Sequence, residues 1–336
     1  MPRGERATYL LVHRGWSHSL LGIALEVVGF SLLVMFILWL VSRRSESRAP
    51  PRLDRILLVV GLCGYSHLFL DWWNTYGVRP FYPFEKSWYY GDLAVLMDPW
   101  IWLLFGATLF LASSFRAERP KEPKPGVQAN SRWIPSWGII VVWSLVLFYI
   151  CFFFQRAFPE RAGLAGPLIW ISCAAAIVIA RLVWGKTARP RLMACVAIVS
   201  VGVYLGFLAA FGNSALHRGI DLFQQQFPDV VVTKSSSNPV HGIPWRREVL
   251  VETKDKIYQY SVNARTGTLS LSRKFPRNLD DPGFSKIENE RAHLAWKSFA
   301  RHPIARREES WLILGDARYA IYARRGDWTE QRVKVE

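Results

Sequence analysis

Two ionisable side chains, His67 and Asp71, lie four residues apart in a segment that is otherwise apolar. They occur near the end of ILLVVGLCGYSHLFLDWW, and this spacing places both on one face of a helix. Asn74 continues the same stripe if the helix persists. Imidazole and carboxylate together are suited to zinc, manganese or iron, and they can also form a proton relay or a hydrogen-bond network that locks helices together. Ionisable groups are costly inside a membrane segment, so the pair indicates a functional site.

A second polar cluster, HRGWSHS, precedes the first apolar segment and contains His13, Arg14 and His18. A five-residue spacing does not align two histidines on a straight helix. A bend near Gly15 is therefore needed to direct both rings to one side. The alternative explanation is an interfacial position, where His, Arg and Trp are common.

The elements that must position these residues are membrane helices. With 51% hydrophobic residues and 16 tryptophans, the chain is predicted to be a polytopic α-helical membrane protein with a small C-terminal α+β soluble domain. A transmembrane helix needs about 20 mainly apolar residues. About six spans are expected, at 20–41, 56–73, 98–115, 134–154, 164–184 and 192–211. No cleavage pattern closes the first of them, so we expect a retained anchor rather than a signal peptide.

These segments predict four parts in chain order. They are a membrane domain with the polar cluster (1–115), a charged, proline-rich linker (116–133), further transmembrane helices (134–211) and the soluble α+β domain (212–336). In the last part, two alternating runs around residues 263–267 predict a β-hairpin. DVVVTKS at 229–235 predicts another strand of an antiparallel sheet.

The formal net charge of +16 is distributed as in a membrane protein. Fourteen Lys and Arg residues lie in or beside the loops after the first, third and fifth apolar segments, against seven at the N-terminus and in the other short loops. The positive-inside rule places the three basic loops in the cytoplasm, and the N-terminus, loop 74–97 and the C-terminal domain outside. No nucleic-acid-binding motif is present in the sequence, so nucleic acid is not an expected partner. The basic excess of the tail suits an anionic membrane surface instead.

Under this topology, potential ligands from three segments meet at one membrane face. They are His13, His18, His67, Asp71, Asp92 and Asp98. Their convergence favours a site over isolated interfacial residues.

The motifs HRGWSHSLLG, GYSHLFLDWWNTYGVRPFYPF and GDLAVLMDP, in this order, resemble the YdjM-like family of bacterial inner-membrane, metal-dependent hydrolases. The resemblance covers about the first 115 residues and continues in the tail only through NPVHGIPWRREV. It implies a multi-pass inner-membrane protein with a divalent metal ion, zinc being favoured and manganese or iron possible. The metal-binding positions that it implies are His13, His18, His67 and Asp71.

Other residues are candidates for catalysis or substrate binding. Asp92 and Asp98 match the acidic positions that follow, and each is a candidate general base or additional ligand. Arg14 is a candidate for binding an anionic group, since a guanidinium binds phosphate bidentately, with an interfacial anchor as the alternative. Asn74, in an NTYG turn, and His241 are the remaining candidate substrate contacts.

The aromatic loop 79–97 is either a belt at the headgroup level or a lid over the site. The leading hypothesis is a membrane-bound, divalent-metal-dependent hydrolase that acts on a phosphoester or lipid-linked substrate at the outer membrane face. The alternative is a non-enzymatic membrane protein that uses the cluster for metal binding, sensing or assembly. A metal-independent phosphatidic-acid phosphatase also uses an HxxxD element, but its PSGH and K-x6-RP elements are missing from the sequence.

Overall fold

The computed structural model describes residues 3–43, 52–96, 98–112, 165–184, 190–320 and 330–335. The chain divides into two compact units, each assembled from separate stretches of sequence. The first unit comprises Met1–Leu96, Phe211–Pro239 and Trp245–Glu336, and the second comprises Met97–Ala210 and Val240–Pro244.

The N-terminal part of the first unit consists of three helices and one short turn of 3₁₀-helix. In chain order these are α1 (Arg3–Val12), the 3₁₀ turn (Trp16–His18), α2 (Leu20–Ser42) and α3 (Leu53–Trp72). Helix α2 begins at Ser19, whose Oγ accepts a hydrogen bond from the backbone N–H of Gly22 at 3.0 Å. Helices α2 and α3 pack against each other around Ile23 and Leu68.

The second unit contains α4 (Pro99–Ala112), α5 (Ala165–Trp184) and most of the long helix α6 (Pro190–Gln226). Helices α4 and α5 are joined by a hydrogen bond from Trp170 Nε1 to the carbonyl oxygen of Pro99 at 2.8 Å. The C-terminal part of α6, from Phe211 onward, belongs to the first unit.

Among the described residues, three helices are long and apolar enough to cross a membrane: Leu20–Ser42, Leu53–Trp72 and Arg191–Gln226. Helices α4 and α5 contain shorter apolar stretches, Pro99–Thr108 and Leu168–Ala180. The expected span at 134–154 and the expected linker at 116–133 lie outside the described residues. Within the part of the chain that the structure describes, three of the six expected segments therefore form helices that meet both the length and the hydropathy expected of a membrane span.

Two sheets follow α6 in the chain, and apart from residues 240 and 243–244 they belong to the first unit. The first has the order β1-β2-β3-β4, formed by Lys234–Val240, Ile243–Glu252, Lys256–Asn263 and Leu269–Pro276. The predicted hairpin around residues 263–267 is confirmed, since β3 pairs antiparallel with β4. The strand predicted at 229–235 is wrong for its first five residues, because β1 begins only at Lys234 and Val231 is exposed to solvent.

The second sheet has the order β5-β6-β7 and is antiparallel throughout, with strands Pro303–Glu308, Trp311–Asp316 and Gln331–Lys334. Two helices precede it, α7 (Phe284–Ile287) and α8 (Arg291–Phe299). Trp296 of α8 packs with Leu312 and Leu314 of β6 in the core. The C-terminal region thus combines helices with antiparallel sheets, as predicted.

Helix α1 packs against α8 and joins the two ends of the chain. Ala7 and Leu10 of α1 are buried against Ala295 and Phe299 of α8. Their burial removes the apolar face of α1 from water, which stabilises the contact. The HRGWSHS turn therefore follows a helix that is held by the C-terminal region.

Candidate metal centre

Three of the four expected metal ligands, His18, His67 and Asp71, lie together. One ligand atom from each falls within 4.8 Å of the others. The Nε2 atoms of the two histidines are 3.4 Å apart, and they lie 3.0 Å (His18) and 3.6 Å (His67) from Asp71 Oδ2. The 3₁₀ turn and α3, which are distant in sequence, thus bring these atoms into one triangle.

The dimensions of this triangle fit a divalent ion. With metal–ligand bonds of about 2.0–2.1 Å and tetrahedral angles, neighbouring ligand atoms are about 3.3–3.4 Å apart. The three observed separations, 3.0, 3.4 and 3.6 Å, lie on either side of that value. Two imidazole nitrogens and one carboxylate oxygen form a donor set typical of zinc sites that keep a position open for water or substrate.

Asp71 is oriented by Arg14. The guanidinium Nη2 of Arg14 donates to Asp71 Oδ1 at 3.0 Å, and both side chains are less than 10% exposed. The other terminal nitrogen, Nη1, donates to the carbonyl oxygen of Gly77 at 2.6 Å and lies 3.4 Å from Asn74 Oδ1. These contacts hold Oδ1 and direct Oδ2 towards the histidines, so Arg14 has a protein partner at each terminal nitrogen.

His18 is also held in one orientation. Its Nδ1 is hydrogen-bonded to Ser17 Oγ at 2.8 Å. The other ring nitrogen, Nε2, faces Asp71. A partner on the second ring nitrogen is how metal-binding histidines are usually oriented. The side chain of His18 is 17% exposed and that of His67 is 59% exposed. The triangle is therefore most open on the side of His67.

His13 lies next to the triangle but outside it. Its Nε2 is hydrogen-bonded to Tyr9 Oη at 3.2 Å, and the two rings are stacked. The ring centroids of His13 and His18 are 5.9 Å apart. Burial, together with the nearby charge of Arg14, lowers the pKa of His13 to about 4. His13 is therefore neutral near pH 7.

The bend between α1 and α2 has identifiable supports. Arg14 adopts a left-handed backbone conformation with φ of 55°, at the position where the sequence predicted a bend near Gly15. Arg79 Nη2 donates to the carbonyl oxygens of Leu11 and His13, at 3.0 and 2.7 Å, which satisfies the free end of α1. The bend is thus fixed by backbone contacts as well as by the ion pair.

Asp92, a predicted catalytic residue, forms an ion pair elsewhere. Both of its carboxylate oxygens accept from Arg301 Nη1, at 2.9 and 2.7 Å. Its carbonyl oxygen accepts from Arg247 Nη1 at 2.7 Å. These contacts anchor the loop after α3 to the C-terminal region, and they engage the carboxylate that was expected to act as a base.

Asp98, the other predicted catalytic residue, belongs to the second unit. Its Oδ1 accepts from the backbone N–H groups of Trp100 at 2.8 Å and Ile101 at 3.3 Å. The carboxylate also accepts from Tyr204 Oη at 3.1 Å. Asp98 therefore caps the N-terminus of α4.

The two remaining substrate-contact candidates have other environments. Asn74 Oδ1 accepts from the backbone N–H of Tyr76 at 2.8 Å and of Gly77 at 3.3 Å, which closes the NTYG turn. Gly77 adopts φ of 82°, a conformation that favours glycine. His241 belongs to the second unit, and burial lowers its pKa to about 4.

The aromatic loop has an exposed part and a buried part. Phe81 and Phe84 are exposed, Phe84 at 87%. The half-buried Trp88 instead packs against Phe299 of α8, with ring centroids 5.7 Å apart, next to Tyr76 of the preceding turn, whose ring lies 4.9 Å from Phe299. The belt and lid explanations therefore concern only the exposed part of the loop.

Sequence reasoning missed the arginines of the C-terminal region that hold the loop after α3. Arg318 Nη1 donates to the carbonyl oxygen of Thr75 at 2.6 Å. Arg247 Nη2 donates to the carbonyl oxygen of Leu93 at 2.9 Å. Backbone carbonyls carry no signal in the sequence, so these pairs could not be found from residue types or spacing.

Residues 2–162 match the model of the YdjM inner membrane protein family. These residues include the turn with His18 and the helix with His67 and Asp71. No curated protein and no solved structure matches the chain significantly. The family match and the span-length helices agree with an inner-membrane location. This match, which covers 161 of the 336 residues, confirms the resemblance inferred from the sequence motifs.

Proposed function

We propose that the protein is a membrane-bound, divalent-metal-dependent hydrolase, with zinc favoured and manganese or iron as alternatives. The observation that supports it is the triangle formed by His18, His67 and Asp71, with edges of 3.0, 3.4 and 3.6 Å. Its three donors leave a fourth position for water or substrate, as in catalytic zinc sites.

A divalent ion in such a site, when bound, polarises an ester oxygen and lowers the pKa of water. The residues of the chain prepare the site for that ion. Arg14 fixes the carboxylate of Asp71 through Oδ1, and Ser17 fixes the ring of His18. His67 is the most exposed of the three donors, so substrate approaches from its side.

The proposed substrate is a phosphoester or a lipid-linked compound at the outer membrane face. His67 precedes the end of α3 by five residues, which corresponds to about 7.5 Å along the helix axis. Trp16, Phe81 and Phe84 are exposed on the segments beside this end of α3. Such aromatic side chains prefer the headgroup level of a membrane, where the polar ends of lipids lie.

The proposed topology has six spans, with the C-terminal domain outside the cytoplasm. The charge bias of the loops supports the orientation. The contact of α1 with α8 supports a common side for the N-terminus and the C-terminal region. This topology can be tested with cysteines introduced at Lys274 and at Arg119. Intact cells are treated with a thiol reagent that does not cross the membrane, and we expect it to label the cysteine at position 274 but not the one at 119. Labelling at Arg119 but not at Lys274 would reverse it.

The function is tested by metal analysis and by turnover. The wild type and the His67→Ala and Asp71→Ala variants are purified in detergent and their bound zinc, manganese and iron are measured. The same proteins are assayed against a model phosphodiester and against phospholipid vesicles. We expect about one ion per chain and metal-dependent turnover in the wild type only. Equal metal content in all three proteins would remove the basis of the proposal.

A non-enzymatic metal-binding, sensing or assembly protein is the second candidate. The observation in its favour is that the carboxylate of Asp92, a candidate general base, is already engaged in an ion pair with Arg301. This candidate predicts metal binding without turnover on either substrate.

A further inference from the structure

Arg318, in the C-terminal region, is buried and contacts the turn that follows α3. Its Nη1 donates to the carbonyl oxygen of Thr75 at 2.6 Å. Its Nε and Nη2 donate to Asp316 Oδ2, at 3.0 and 2.7 Å, and Nη2 also lies 3.2 Å from the carbonyl oxygen of Phe299. One planar guanidinium thus joins β6, the end of α8 and the NTYG turn.

Arg318 and Asp316 form a buried ion pair in which Asp316 remains ionised. Burial opposes the ionisation of Asp316, but the charge and hydrogen bonds of Arg318 outweigh it and hold the pKa of Asp316 below its ordinary value. Asp316 Oδ2 also accepts from the backbone N–H of Arg301 at 2.7 Å. The position of the guanidinium is therefore set from within the C-terminal region.

The turn that receives Arg318 also holds Arg14. Within NTYG, Asn74 Oδ1 and the carbonyl oxygen of Gly77 both face Arg14 Nη1, at 3.4 and 2.6 Å. Arg14 in turn donates to Asp71 Oδ1. Arg318 is therefore connected to the proposed ligand Asp71 through the NTYG turn and Arg14, with a hydrogen bond at each step.

We propose that Arg318 is a positioning residue of the metal centre. It lies outside the residues that match the family model, so it would be a contribution of the C-terminal region to a site whose ligands all come from the N-terminal part. The proposal rests on the proposed function, since it concerns the same ion. Residues that orient metal ligands from outside the donor set typically change metal affinity by about 10–100-fold.

Two variants interrupt the contact in different ways. Arg318→Lys keeps the charge but replaces a planar fork by one ammonium, which cannot span the distance from Asp316 to Thr75 in the same geometry. Asp316→Asn combined with Arg318→Met removes both charges together, so that no buried charge is left unpaired. The amide oxygen of that double variant still accepts from the N–H of Arg301. Arg306→Gln, at a partly exposed ion pair of β5, is the matched control.

The experiment titrates the purified full-length proteins with Co²⁺ and records the dissociation constant and the visible absorption spectrum of bound cobalt. We expect weaker binding by about tenfold or more and an altered spectrum in both Arg318 variants, with wild-type values for Arg306→Gln. A purely structural role would change thermal stability without changing the spectrum. Wild-type affinity and spectrum in either folded Arg318 variant would overturn the proposal. Absence of Co²⁺ binding to the wild type would overturn it together with the proposed function.

A second measurement uses the wild type alone and remains decisive if the variants do not fold. Coupling between two sites is reciprocal, so an ion that is positioned through Arg318 must also stabilise the contacts of Arg318. We expect Co²⁺ to slow amide hydrogen exchange in peptides that cover 74–77 and 316–320. Unchanged exchange at 316–320 with Co²⁺ bound would contradict the proposal.

Discussion

Arg14 and Asp71 form a buried ion pair that gives the two carboxylate oxygens different partners. Nη2 of Arg14 lies 3.0 Å from Oδ1, and Nε2 of His18 lies 3.0 Å from Oδ2. A carboxylate held this way cannot rotate freely, so little entropy remains to be lost when a ligand binds. Arg14 therefore acts on the site through Asp71.

Replacing Asp71 by Asn removes the charge at nearly constant shape. We expect the Asp71→Asn protein to lose most of its bound divalent metal, because a neutral amide is a weaker ligand than a carboxylate and leaves Arg14 uncompensated. Metal content of the purified protein is the measurement. Asp54→Asn, on the same helix at an exposed ion pair with Arg52, is the control and should retain wild-type metal content.

The two histidines of the N-terminal turn should differ in their importance for metal binding. His18 belongs to the triangle, whereas Nε2 of His13 is hydrogen-bonded to Tyr9. We expect His18→Ala to abolish stoichiometric binding of Zn²⁺ and His13→Ala to weaken it by less than about tenfold, as for a group outside the donor set. Calorimetric titration compares the two. Equal losses would make His13 a direct ligand.

Removing the charge of Arg14 should destabilise the fold. Arg14→Gln leaves Asp71 as a buried charge without its guanidinium, and breaking such a pair costs about 3–5 kcal/mol. The free energy of unfolding in detergent, followed by circular dichroism, is the measurement. Arg52→Gln removes a charge from an exposed pair and should have no measurable effect. Similar stability of both variants would show that the Arg14 pair contributes little.

Two glycines of α2 provide a test of the turn that carries His18. A Cβ at Gly22 would lie 1.6 Å from the carbonyl oxygen of Trp16, whereas a Cβ at Gly29 meets no atom within 4 Å. We expect Gly22→Ala to displace the 3₁₀ turn and to lower both thermal stability and metal affinity. Gly29→Ala should be neutral or slightly stabilising, because alanine favours helix. Wild-type metal affinity in Gly22→Ala would contradict the described turn.

The stability of the C-terminal region should decrease in mild acid through His302. Burial lowers the pKa of His302 below its ordinary 6.5; Glu252 and Asp316 oppose this effect, and the charges of Arg318 and Arg301 add to it. Below about pH 6.5 the unfolded chain takes up a proton at this position while the folded chain does not. The free energy of unfolding therefore falls as the pH decreases from 6.5 towards the folded pKa.

Denaturation of the full-length protein between pH 8 and 5.5 measures this dependence. His302→Gln removes the titrating group and should reduce the slope of stability against pH in this range. Nε2 of His302 is bonded to Ser236 Oγ at 2.9 Å, so Ser236→Ala, which keeps the imidazole, serves as the control that retains the slope. An unchanged slope in His302→Gln would assign the dependence to other groups.

The parts of the site that could be predicted from the sequence are those that depend on the spacing of residues along one helix or turn. The spacing of His67 and Asp71 placed both on one helix face, and the bend predicted near Gly15 occurs at Arg14. The polar cluster HRGWSHS pointed to His18, and the motif resemblance added its role as a ligand; its spacing to His67 carries no signal of its own. The hydrophobic run of α2 predicted a helix over 20–41, and the structure has Leu20–Ser42.

The partners of the acidic residues could not be predicted in the same way. Arg301 follows Asp92 by 209 residues, and no pattern of residue types relates the two. Asp98 did carry a local signal, because an aspartate directly before a proline is typical of a helix N-terminus. That signal predicts the capping contacts that the structure shows.

The contact between Thr75 and Arg318 joins residues 243 positions apart. Every proposed metal ligand has been synthesised once α3 is translated, whereas Arg318 is added only 246 residues after the end of α3. Pairing over such a separation is slow, because the intervening chain must be closed into a loop first. Assembly of the site is therefore a late event in the biogenesis of this protein, and a nascent chain that stops before Arg318 contains all the ligands but lacks the contact that holds the NTYG turn beside them.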